Sequence, residues 1–156
     1  MGCDIHIHIE YKVGDAPWKA DKFHEPYEED GYSWVKAFGS RNYRLFANLA
    51  GVRGSGPEPK GLPEDVSDVI KLASDKWDID AHSHSYHDLD DFIEICINSG
   101  VKLDEPVHWD KTYTELINTA TEKVKKYKLE LESEQMLLDQ PINTEVKCRL
   151  VYFFDN

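Results

Sequence analysis

Residues 2–10, Gly2-Cys3-Asp4-Ile5-His6-Ile7-His8-Ile9-Glu10, alternate apolar and polar side chains without a break. A period of two is the pattern of a half-buried β-strand, here spanning Cys3 to Lys12. It turns Ile5, Ile7 and Ile9 toward a core. Asp4, His6, His8 and Glu10 then stand in a row on the opposite face. The chain ends on a second such pattern. From Glu145 to Phe154, Val146, Cys148, Leu150, Tyr152 and Phe154 share one face. The simplest sheet pairs the last strand with the first.

Helical periodicity fills the middle. Ser40 is a candidate N-cap for a short helix that stops at Gly51, with Tyr43, Phe46, Leu49 and Ala50 inward. Residues 51–63 hold four Gly and three Pro, so they read as a loop or lid. Asp65 to Trp77 is the next helix, with Val66, Val69, Ile70 and Ala73 inward and Pro63 near its start. Asp88 or Asp90 caps a helix through Phe92, Ile93, Cys96 and Ile97 that Gly100 ends. Asp110 opens a long helix whose apolar face runs Tyr113, Leu116, Ile117, Ala120, Val124, Tyr127 and Leu131. Residues 13–31 and 101–109 read as connections, and Tyr32 to Phe38 as a further strand. The expected fold class is α+β. A small, mainly antiparallel sheet has its first and last strands paired. Several helices, including the long C-terminal one, pack on one face of it.

The 156 residues fit a single domain over 1–156 with a full core. Their formal net charge of −12 argues against general binding to duplex nucleic acid or an anionic membrane. No apolar run approaches the ~20 residues needed to span a bilayer. The N-terminus enters a patterned strand directly, so no signal peptide is expected. Cys3, Cys96 and Cys148 are odd in number and lack CxxC spacing. That fits a reducing interior better than a disulfide framework or structural zinc knot.

Chemistry concentrates in three places. The first is the row Asp4, His6, His8, Glu10, whose neighbours lie roughly 6–7 Å apart on a regular strand. The second is Asp78-Ile79-Asp80-Ala81-His82-Ser83-His84-Ser85, which repeats the His-x-His spacing ahead of a helix. Four of the seven histidines sit in these two units. Together they supply three or four nitrogen ligands, with Asp4, Asp80 or Glu10 as oxygen ligand or proton carrier. The candidate metal set is Asp4, His6, His8, His82 and His84. An open divalent site of that kind suits Zn²⁺ or Mn²⁺ and activates water. The plain alternative is a solvated strand face and a capped turn. The third place is Ser40-Arg41-Asn42-Tyr43-Arg44 with Arg53 beyond it. Arginine is unfavourable at the positive end of a helix unless an anion sits there too. Arg41, Asn42, Arg44 and Arg53 are therefore candidate ligand-binding residues for an anionic small molecule. Arg41, Glu10 and Asp80 are the candidate catalytic residues. The plain alternative here is pairing with the chain's many carboxylates.

Two resemblances follow from these residues. His6-Ile7-His8-Ile9 and His82-Ser83-His84-Ser85 are similar in spacing to the paired motifs of the two-histidine phosphoesterases, which work without metal. They depart from that pattern by carrying His where Ser or Thr belongs. More broadly, the chain resembles a family of small proteins of bacteriophages and some bacteria that begins Gly-Cys-Asp-Ile-His. The likeness covers residues 2–12, Arg41-Asn42-Tyr43, Leu45-Phe46-Ala47, Leu49-Ala50-Gly51-Val52-Arg53, Gly61-Leu62-Pro63, Asp65-Val66-Ser67, Trp77 and His82-Ser83-His84-Ser85. It implies a phage or prophage origin, a bacterial cytoplasm and one shared module, but no activity. The expected function is a small metal-dependent hydrolase of a phosphate-bearing, nucleotide-like molecule. The alternative is a non-catalytic phage protein that sequesters a nucleotide signal or a host defence protein.

Overall fold

The computed structural model describes residues 2–22, 32, 41–104 and 110–156. The strand expected at Tyr32 to Phe38 lies outside these residues except for Tyr32, and so does the Ser40 cap. Four strands, β1 (Asp4–Val13), β2 (Lys19–Ala20), β3 (His82–Asp88) and β4 (Val146–Asp155), form one sheet in the order β2-β1-β4-β3. Every pairing is antiparallel. The helices are α1 (Tyr43–Ala50), α2 (Asp68–Trp77), α3 (Leu89–Asn98) and α4 (Lys111–Met136), with a 3₁₀ turn over Asp78–Asp80. The α+β class, the long C-terminal helix and the pairing of first and last strands all hold. No helix among the described residues is long and apolar enough to cross a membrane.

β1 and β4 form the spine, paired without a slip from Asp4↔Asp155 to Val13↔Val146. Two strands of alternating pattern in this register place Ile5, Ile7, Ile9 and Tyr11 beside Cys148, Leu150, Tyr152 and Phe154 on one face. That face packs against Leu45, Phe46 and Leu49 of α1, Phe92 and Cys96 of α3, and Tyr113, Leu116 and Ala120 of α4. Removing this much apolar surface from water drives the fold, at roughly 1.5–3 kcal/mol per large side chain buried. Tyr152 keeps its hydroxyl satisfied by donating to the Leu49 carbonyl at 3.0 Å.

Helices do not keep to that face alone. α2 covers the other side of the sheet, where Ile70 joins Ala20 and Val151 in a second cluster. An amphipathic pattern says that a helix has a buried face, but not which face of the sheet it seeks. The consequence for β1 is large, because the row set opposite the core is itself buried at His6, His8 and Glu10.

The helix ends follow local chemistry. Asn42 is the α1 cap, its side-chain oxygen accepting from the Leu45 N–H at 3.0 Å. Gly51 ends α1 in the left-handed conformation at φ 70°. α2 begins at Asp68, three residues later than its apolar pattern alone indicates. The loop after α1 is pinned and is no free lid. A Cβ on Gly56 would stand 1.7 Å from the Ala47 carbonyl oxygen. Further along, the Gly61 N–H donates to the His84 carbonyl at 2.7 Å and the Lys60 N–H to Ser85 Oγ at 3.2 Å.

Candidate functional site

The two His-x-His units meet only in part. On the face covered by α2, His6 and His8 from β1 and His84 from β3 surround one aromatic ring. Phe153 of β4 stacks with His6 at 4.9 Å, His8 at 5.9 Å and His84 at 5.3 Å between ring centres. His82 lies on the other face, stacked on Phe154 at 6.1 Å. The cause is local. Between His82↔Phe154 and Ser85↔Tyr152, β3 spends three steps against two of β4. Ser83 takes up the extra residue as a bulge, at φ 54°. In an unbroken strand His82 and His84 would share a face. The bulge turns them apart.

The expected metal set is therefore not assembled as a set. Three of its imidazoles converge on Phe153 and the fourth points away. Among the described residues no group of three His, Cys, Asp or Glu side chains is gathered closely enough to hold an ion.

The expected oxygen donors are also drawn elsewhere. Glu10 is 0% exposed, and both its oxygens are engaged. Oε1 accepts from Arg149 Nε at 2.7 Å, and Oε2 accepts from the Ser67 N–H at 2.7 Å, at the start of α2. Arg149 donates again to Asp65 Oδ1 at 2.9 Å and lies 3.9 Å over the Trp18 ring. Its hydrogen bond holds the Asp65 carboxyl below the usual carboxylate range. Glu10 thus ties the sheet to α2, and both oxygens expected to ligate or carry protons are taken up in that tie. Asp80 is exposed on the 3₁₀ turn.

One end of the sheet gathers the remaining chemistry. His6 Nε2 bonds to Asp155 Oδ2 at the far end of β4, and Trp77, at the end of α2, packs 4.5 Å from the same imidazole. Asp4 is the direct cross-strand partner of Asp155. Two carboxylates so placed repel unless a cation stands by. Arg41 supplies it, donating to Asp4 Oδ1 at 2.5 Å and Oδ2 at 3.0 Å. Arg41 precedes the Asn42 cap, outside the helix that carries Arg44. Arg44 is exposed. Arg53 lies 5.5 Å over the Tyr43 ring; burial pushes the nearby Cys3 thiol upward, against the pull of the Arg53 charge. Lys60, on the loop beyond, is held by the Tyr86 carbonyl.

Backbone strain marks the same end. The described non-glycine residues with positive φ are Arg53 at 61°, Asp78 at 48° and Ser83 at 54°. They adjoin the Tyr43 ring, Trp77 and His82 respectively. Such conformations cost on the order of 1 kcal/mol or more each and gather at functional sites.

Asp155, Phe153 and Ser74 are the residues that sequence reading missed. Asp155 was within reach, since pairing the first strand with the last sets it opposite Asp4. Ser74, whose Oγ lies 2.7 Å from His84 Nε2, carries no signal, because a serine in an amphipathic helix reads as surface.

Two imidazoles on β3 are shifted toward their neutral form. Burial lowers His84, with the nearby His82 adding to it. Burial, then Lys60, lowers His87 from 6.5 to about 4. In the folded chain His87 takes no proton until well below the value at which the unfolded chain does. Its contribution to stability is therefore lost as pH falls from 6.5 toward 4, and His84 acts in the same direction. The urea midpoint is expected to drop across that window, with a shallower slope in His87→Gln. An unchanged slope in the variant would assign the acid sensitivity elsewhere.

Compared with known protein families, with curated proteins and with solved structures, the chain matches none.

Proposed function

We propose that the protein is a small hydrolase of a phosphate-bearing, nucleotide-like molecule, of phage origin, working at the Asp4–His6–Asp155 end of the sheet. The observation that carries this reading is the His6–Asp155 pair beside Asp4, where the strained backbone of the described residues collects. A carboxylate bonded to one imidazole nitrogen orients the ring and raises its basicity, the arrangement of a general base. Arg41 and Arg53 lie next to it as guanidinium donors for phosphate oxygens and for charge that develops there. Arg41 would exchange Asp4 for the ligand.

A divalent metal would draw on Asp4, His6 and Asp155 only once a ligand takes Arg41 from Asp4 and the three close up, because no such trio among the described residues is gathered tightly enough for an ion as the chain stands. The ion would supply Lewis-acid polarisation of a phosphoryl oxygen. The sequestering alternative keeps a specific support. His6 and His8 are almost wholly enclosed, which suits a fixed binding surface better than a site open to water.

A panel of nucleotide mono- and diesters, assayed with Mn²⁺, with Zn²⁺ and with chelator, tests the reading. Turnover is expected, and His6→Gln and Asp155→Asn are each expected to cut kcat by roughly 100-fold or more, within the range for a general base. His82→Gln, on the other face, is expected to leave it within a few-fold. Turnover that survives His6→Gln would remove the proposed base. Ligand bound and returned intact after denaturation would establish the sequestering reading instead.

A further inference from the structure

α4 runs 26 residues, about 39 Å at 1.5 Å per residue. Its buried positions, Thr112, Tyr113, Leu116, Ile117 and Ala120, lie in the first half. Val124 and Tyr127 carry the contact further, on the same face. Among the described residues, the opposite face of the second half packs into neither core cluster. Glu122, Lys125, Lys126, Leu129 and Ser133 border a shallow groove there. Leu129 is 64% exposed, and Met136, two turns on, is 86% exposed. An apolar pair at this spacing forms a stripe on one side of a helix. By itself the stripe names no partner, but the charges around it do. On that side Lys125 and Lys126 precede Leu129 and Glu132 follows it, with Lys128 and Glu130 at the edges and Glu122 at the far end of the groove; Lys123 is turned away to pair with Asp21.

We infer that this face of α4 pairs with the same face of a second copy, antiparallel, about a two-fold axis close to Leu129. That orientation lays each copy's lysine block along the other's glutamate block. Lys125 and Lys126 of one helix meet Glu132 of its partner, and the two-fold repeats the contact. The parallel orientation would set like charge against like, so the sequence selects one arrangement. The two Leu129 side chains then meet at the axis, and Met136 packs along the aliphatic stem of the facing Glu122. A two-fold interface uses one patch twice, and a block of each sign on either side of the axis is what such a patch requires. The lysine and glutamate blocks are solvent-facing, so the association is a weak one that salt loosens.

Sedimentation of the full chain, from about 1 to about 300 µM at low salt, is expected to show a reversible dimer with Kd on the order of 10–100 µM. Lys125→Glu/Lys126→Glu and Glu130→Lys/Glu132→Lys are each expected to raise that Kd at least ~10-fold alone. Mixing the two variants is expected to restore a heterodimer at least as tight as the natural pair, because the swapped blocks are complementary again. All substitutions lie on the exposed side of α4, and an unchanged far-UV spectrum verifies the fold. A wild-type chain that stays monomeric throughout, or variants whose mixture does not reassociate, would overturn the antiparallel α4 pairing.

Discussion

Arg149→Ala is expected to destabilise the protein by about 3–5 kcal/mol, the range for leaving one member of a buried ion pair without its partner. Glu10 is 0% exposed and Arg149 6%, so neither reaches water to recover what it loses. The truncation removes the Nε donor to Glu10, the Nη1 donor to Asp65 and the guanidinium over Trp18 together. For a chain of this size the loss corresponds to a melting point lowered by roughly 6–20 °C. Glu10→Gln/Arg149→Met, which removes both charges and keeps the volume, is expected to recover most of it. Thermal and urea unfolding of the three proteins measure this. A loss under 1 kcal/mol for Arg149→Ala would mean that Glu10 is not enclosed as the structure has it.

The second large effect is at Phe153. Phe153→Ala is expected to cost about 3–5 kcal/mol, since the ring is fully buried and its removal leaves a cavity. The walls of that cavity include His6, His8 and His84, whose rings now stack on Phe153. Imidazoles converging on a void are a ligand set for Zn²⁺ or Co²⁺. Adding Co²⁺ is therefore expected to raise the midpoint of Phe153→Ala more than that of the natural protein, with visible absorbance in the variant. If the variant ignores the metal, the three rings do not share one centre. The comparison also separates this engineered set from Asp4, His6 and Asp155, which Asp155→Asn disrupts without touching Phe153.

Much of the fold was legible because it rests on periodicity. The alternation in β1 and β4 placed both strands and their pairing, and the i, i+3/i+4 pattern placed the start of α4 within a residue. Glycine marked the stops at Gly51 and Gly100. The site was less legible. Sequence could not show that His6, His8 and His84 gather on Phe153 or that Arg41 is bonded to Asp4. Nor could it show that Glu10 is tied to Arg149, which is separated from it by most of the chain. It placed His82 with His84 because spacing alone puts i and i+2 together.

What the sequence by itself determined is which residues share a face within each strand and helix, since 2.0 and 3.6 residues per turn are properties of the local backbone. Two decisions belong to tertiary structure. α2 covers the acid–histidine row, turning a solvent-facing face into a second interior, because Glu10 and Arg149 bind the segment that leads into it. Ser83 bulges out of β3, because fitting His82 and Ser85 to Phe154 and Tyr152 demands one residue more than a regular ladder holds. Both depend on pairings between distant segments, and no local period encodes which partner a strand or helix will meet.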